Sequence, residues 1–151
     1  MTSTHPSRPL LATPPRKPVM TTTIVDLLAV LGAHLAAFDL AAPWAVRVTI
    51  GGTRRDIEAQ LQCQQPPEVA AALLAWADTL TAVTAQAWRC YDGDSVHLSV
   101  TGRLPSGATV RVYDAIPYTR HGPGANLPPG AATSLRPGVL RALATPGQVS
   151  V

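Results

Sequence analysis

Apolar and polar residues alternate most regularly between Ser95 and Ile116. Val96, Leu98 and Val100 take every second place against Ser95, His97, Ser99 and Thr101, and Val110 and Val112 do the same against Thr109, Arg111 and Tyr113. A period of two is what a strand needs when one face meets a core and the other meets water. Between the two runs, Pro105-Ser106-Gly107 supplies a residue pre-set for a turn and one that tolerates positive φ. The stretch therefore predicts a hairpin, and the remaining elements are expected to pair with it or cover it.

Towards the N-terminus the period changes. Ile24, Leu27, Leu28, Leu31, Leu35 and Phe38 recur at helical spacing and predict an amphipathic helix over Thr23 to Phe38. Thr23 and Asp26 resemble a capping box, and Asp39 followed by Pro43 ends the run. His34 falls at the edge of the stripe with no carboxylate at helical spacing, so packing is favoured over proton transfer. Trp44, Val46, Val48 and Ile50 then alternate with polar residues up to Gly51-Gly52-Thr53, and Ile57, Ala59, Leu61 and Cys63 alternate beyond it. This predicts another hairpin with a polar outer face, where Arg47 pairs with Asp56 or Glu58. Pro66, Pro67 and Glu68 suit the start of a second helix, whose seam is Val69, Leu73, Trp76, Leu80 and Val83. Thr84 to Tyr91 reads as a less regular strand of open orientation; with Trp88 inward, Arg89 and Tyr91 join the polar face.

Together these elements predict an α+β fold in the order α-β-β-α-β-β-β. It is a two-layer structure: a mainly antiparallel five-stranded sheet with two amphipathic helices on one face. Proline sets the expected limits. Residues 1–21 hold five of the fifteen prolines and read as a disordered, basic tail, including Pro6-x-x-Pro9 and Pro15-x-x-Pro18 of the kind polyproline grooves accept. Residues 22–116 read as a single domain. Residues 117–151, rich in Pro and Gly, are expected to be a largely disordered basic tail with at most a helical turn around Val139, Leu140 and Leu143.

The net charge of +3 hides an uneven distribution. Residues 22–116 carry six arginines against all nine acidic residues, while the positive excess lies in Arg8, Arg16, Lys17, Arg120, Arg136 and Arg141. A nucleic-acid-binding fold would line its own body with basic residues, so such binding is expected only through the tails. No apolar run approaches the ~20 residues of a membrane span, and a cytoplasmic location is the default expectation. Cys63 and Cys90 read as free thiols.

Motifs for chemistry are sparse. Asp92-Gly93-Asp94 resembles the start of a calcium loop, but the twelfth position is Arg103 where a bidentate glutamate is needed. Cys63, Cys90, His97 and His121 lack the close pairing of a zinc clip. No cofactor and no metal is expected. The favoured function is a small soluble, non-catalytic protein-interaction or regulatory module. Its polar sheet face carries Arg47, Arg89, His97, Arg111 and Tyr113, and that face or an edge strand meets a protein partner or a second copy of the chain. One alternative is a nucleic-acid accessory protein acting through the basic tails. Another is a small enzyme or ligand-binding domain using the face around His97, the one weak candidate for a general base.

Overall fold

The hairpin expected at the centre of the sequence is at the centre of the molecule. In the computed structural model, which describes residues 22–145, the chain runs α1 (Ile24–Ala37), β1 (Ala45–Gly51), β2 (Arg54–Gln60), α2 (Pro66–Ala77), β3 (Thr81–Arg89), β4 (Ser95–Arg103), β5 (Thr109–Pro117), β6 (Ala132–Ser134) and α3 (Pro137–Ala144). The six strands form one sheet in the order β1-β2-β5-β4-β3-β6. The fold is α+β, with one strand and one helix more than the sequence predicts. The sheet is mixed, because β2 and β5 run parallel while every other neighbouring pair is antiparallel.

Topology accounts for the parallel pair. After β2 the chain crosses through α2 to β3, leaving a gap in the sheet that the β4–β5 hairpin fills. Filling the gap with two antiparallel turns brings β5 alongside β2 in the same direction. On the helix side, Val96, Leu98 and Val100 of β4 and Val110, Val112 and Ile116 of β5 are buried, as their alternation requires. Ile57 and Ala59 of β2 and Ala87 of β3 extend the same layer. Val69, Leu73 and Trp76 of α2 close over it, and the Trp76 indole N–H donates to the Ala41 carbonyl at 3.1 Å.

Helix α1 begins as expected. Asp26 Oδ2 accepts the Thr23 N–H at 2.7 Å, and Thr23 Oγ1 accepts the Asp26 N–H at 3.1 Å, closing a capping box. Its buried face differs from the expected stripe: Leu27, Leu31 and His34 are buried, whereas Ile24, Leu28 and Phe38 are exposed. The helix is apolar nearly all round, so the sequence does not choose its inner face; the position of α2 does. His34 packs between the rings of Phe38 and Trp76, at 4.8 and 5.8 Å between centroids, and its Nε2 lies 2.8 Å from Thr79 Oγ1.

The boundary expected at Ile116 does not end the folded body. Beyond it, Tyr118 donates its N–H to Asp94, and the Ala132–Ser134 strand pairs with Gln86–Trp88 of β3. Helix α3 seats Leu140 in the core beside α2. The expectation of five strands and two helices is corrected by this segment. Residues 1–21 and 146–151, with the N-terminal Pro-rich motifs, lie outside the described residues. No described helix is long and apolar enough to cross a membrane.

Candidate functional site

The described helices lie on one side of the sheet or at its end, and among the described residues no helix or strand covers the other face. Register decides what stands on it. Trp88 of β3 is opposite His97 of β4, Ser99 of β4 is opposite Tyr113 of β5, and Thr101 is opposite Arg111. Beyond β5, Arg111 is level with Glu58 and Tyr113 with Gln60 of β2, and Glu58 is opposite Arg47 of β1. Four of the five expected face residues, Arg47, His97, Arg111 and Tyr113, therefore come together on this surface.

The aromatic members form a continuous cluster. The His97 and Tyr113 rings are nearly parallel at 5.5 Å, and the Trp88 ring meets His97 edge-on at 5.1 Å. The Arg111 guanidinium lies 5.2 Å from the centre of the Tyr113 ring. Burial among these rings, and secondarily the Arg111 charge, hold the His97 imidazole below its ordinary value despite the opposing pull of Asp114 and Asp92. It is therefore neutral at physiological pH. Among the described residues no hydrogen bond reaches the His97 ring, and the charges that act on it are those of Arg111, Asp114 and Asp92.

Towards β1 the face becomes ionic. Glu58 bridges Arg111 at 3.4 Å and Arg47 at 3.6 Å, and Asp56 holds Arg54 at 2.8 Å. These groups line a shallow groove of about 390 Å³. Each exposed pair contributes under about 1 kcal/mol, so their value is in setting side-chain directions. Two carboxylates answer three arginines, so the groove lining is positive by one charge.

Arg89 is elsewhere, correcting its expected place on the open face. It is level with Val96, on the helix side, and its guanidinium donates to the carbonyls of Gly93 (3.1 Å) and Leu127 (2.8 Å). It also lies 3.7 Å above the Tyr118 ring. Arg89 thus fastens the chain beyond Ile116 to the sheet. The orientation of β3 that places Arg89 inward turns Trp88 out, and its indole N–H donates to the Gly130 carbonyl at 3.2 Å.

Asp114 is a polar residue at an inward position of β5. It continues the inward series Val110, Val112 and is buried, with Oδ2 accepting the Cys63 N–H at 2.8 Å and Oδ1 the Ala115 N–H at 2.8 Å. A carboxylate at an inward position needs such partners, and the period-two pattern marks it. Burial, then Asp114 and Glu68, push the Cys63 thiol up to about 11, so it is no nucleophile at neutral pH. Cys63 and Cys90 are both free, and no cluster of three metal-ligating side chains occurs among the described residues. Of the basic residues expected to serve nucleic acid, Arg120, Arg136 and Arg141 are exposed around β6 and α3, while Arg8, Arg16 and Lys17 lie outside the described residues. No protein-family model, curated protein or solved structure matches the chain.

Proposed function

We propose that this chain is a non-catalytic interaction module that presents the bare sheet face to a protein partner. The observation that carries this reading is the placement of Trp88, His97 and Tyr113 on three adjacent strands, with Arg111 beside them and, among the described residues, no helix or strand layered above. Trp, Tyr and Arg are the residues that most often anchor interfaces, since each joins large apolar area to a polar end. Ladder pairing holds their backbone, so little ordering entropy is lost when a partner covers them. The residual positive charge beside the rings favours a partner surface that combines apolar side chains with carboxylates.

The test is the double variant Arg111→Ala/Tyr113→Ala. Proteins cross-linked to the wild-type chain in its native extract, once identified and purified, should bind it directly, and the double variant should bind at least about tenfold more weakly. Its thermal midpoint should move little, because both side chains are partly exposed and stand on the sheet face away from the buried core. Equal binding by the variant would refute the proposal. Binding of single-stranded nucleic acid that weakens steeply with salt and survives the double variant would favour the basic tails instead.

A further inference from the structure

The two edges of the sheet are treated differently. On one side β3 is covered by β6, a strand of only three residues, and the chain continues into α3, which packs against α2. On the other side β1 is seven residues long, paired with β2 without a bulge from Ala45 to Gly51, and free of proline and lysine. Among the described residues nothing pairs with its outer side. Short strands, bulges, prolines and charged side chains are the usual ways of disarming an edge, and of these β1 has only the single charge of Arg47, which Glu58 of β2 answers.

Hydrogen-bond parity shows which groups it offers. Leu61 donates its N–H to Tyr113 on β5, and Gln60 accepts from Trp44 on the β1 side. Backbone groups alternate between neighbours along a strand, so Gln60, Glu58 and Asp56 turn to β1 and engage Ala45, Arg47 and Thr49. The N–H and C=O groups of Val46, Val48 and Ile50 therefore point outward and lack a backbone partner. Their side chains lie on the helix side, where Val46 and Ile50 remain exposed at 39% and 37%.

The geometry points to a second copy of this chain as the occupant, joined edge to edge through β1 about a two-fold axis at Val48. In that antiparallel register Val48 meets Val48, Val46 meets Ile50, and all six outward groups of each strand are satisfied. On the open face Arg47 meets Thr49, so no like charges stand directly opposite, and each Arg47 keeps its own Glu58.

Helix α1 fits the same axis. It packs on β1 and reaches α2 through His34 and Trp76, while α2 sits over β4 and β5, which places α1 above the β1–β2 side of the sheet. With strands about 4.8 Å apart, two such helices related by the axis lie roughly 8–10 Å apart, the ordinary spacing of packed helices. The α1 surface suits this: Ile24, Val25 and Leu28 are exposed, Asp26 is the helix's only acidic residue and its only basic one, His34, is buried, and Gly32, Ala33 and Ala36 leave room for close approach. A helix apolar all round is normally buried on every side. The dimer joins two sheets into one, with both aromatic clusters on the same broad face.

This inference stands apart from the sheet-face reading, and sedimentation of the full chain over a concentration series separates them. The wild type is expected to sediment as a dimer, and Arg111→Ala/Tyr113→Ala to do the same. Val48→Pro removes an outward N–H that β2 does not use, so it should fold normally and sediment as a monomer. Thr49→Arg gains Asp56 across the β1–β2 pair but opposes Arg47 of the other copy twice, and should weaken the dimer roughly tenfold. If Val48→Pro fails to fold, the Thr49→Arg result decides. A wild type that is monomeric throughout, or a dimer unaffected by Thr49→Arg, overturns the inference.

Discussion

His34 is the buried residue whose chemistry depends most on its surroundings. The Thr79 hydroxyl donates to the Trp76 carbonyl at 2.8 Å, so the His34 Nε2 is the donor in its contact with Thr79 and Nδ1 carries the lone pair. Burial against Phe38 and Trp76 holds the imidazole below its ordinary value of 6.5. The unfolded chain then binds this proton more tightly than the folded chain. His34 therefore contributes its full stability above about pH 6.5 and loses it as pH falls towards the depressed folded value. The urea midpoint should drop between about pH 8 and pH 5 more in the wild type than in His34→Gln, which keeps an N–H donor and cannot titrate. Parallel curves would mean that His34 is not a titrating group of this transition. His34 was legible as a packing residue from its place beside the stripe, but its partner Thr79 is forty-five positions away and left no local trace. Gly102 was hidden in the same way. It ends the inward series of β4, and a Cβ there would stand 2.8 Å from Leu80 Cβ and 3.0 Å from the Thr81 carbonyl, an approach that only the folded α2–β3 connection reveals.

Elements with a strict period were legible, and those without one were not. The β4–β5 hairpin and the α2 seam through Val69, Leu73 and Trp76 bury the residues their spacing names. Helix α1 shows the limit: with Ile, Val, Leu and Ala around its circumference, several stripes fit equally well and tertiary contact selects one. Strand β3 was ambiguous because Ala85 and Ala87 face the core while Trp88 faces out, reversing what residue size suggests. That ambiguity put Arg89 on the wrong face, and its real position predicts a different phenotype. Arg89→Ala removes charged hydrogen bonds to the Gly93 and Leu127 carbonyls and the stacking on Tyr118. It should destabilise the fold by about 1.5–3 kcal/mol in denaturant titration, the range for hydrogen bonds to charged groups. Partner binding by the chain that remains folded should be unchanged. The Arg111→Ala/Tyr113→Ala variant should show the reverse pattern, so the two measurements together assign each arginine to scaffold or surface.

For the molecule as a whole, the segment after Ile116 does for β3 what nothing described does for β1. Strand β6 takes up the outer groups of β3: Arg89 donates its N–H to Ala131, Gly130 donates to Arg89, and Leu135 donates to Ala85. Leu140 meanwhile fills the space beside α2. Three residues between a Pro-Gly turn and the prolyl start of α3 are too few for a period-two pattern to register, so the sequence showed a tail where the fold has an edge cover. A sheet with one open edge can pair once and stop, whereas a sheet with two can pair repeatedly into open-ended assemblies. Removing residues 118–151 should therefore change the kind of association as well as the stability. The truncated chain should bare the β3 edge and the Leu140 site together and form species larger than the full chain in light scattering, growing with concentration. Adding Val48→Pro to the truncation should not restore a monomer, because the newly exposed edge is β3. A truncated chain that keeps the size distribution of the full protein would show that β6 and α3 do not serve as its edge cover.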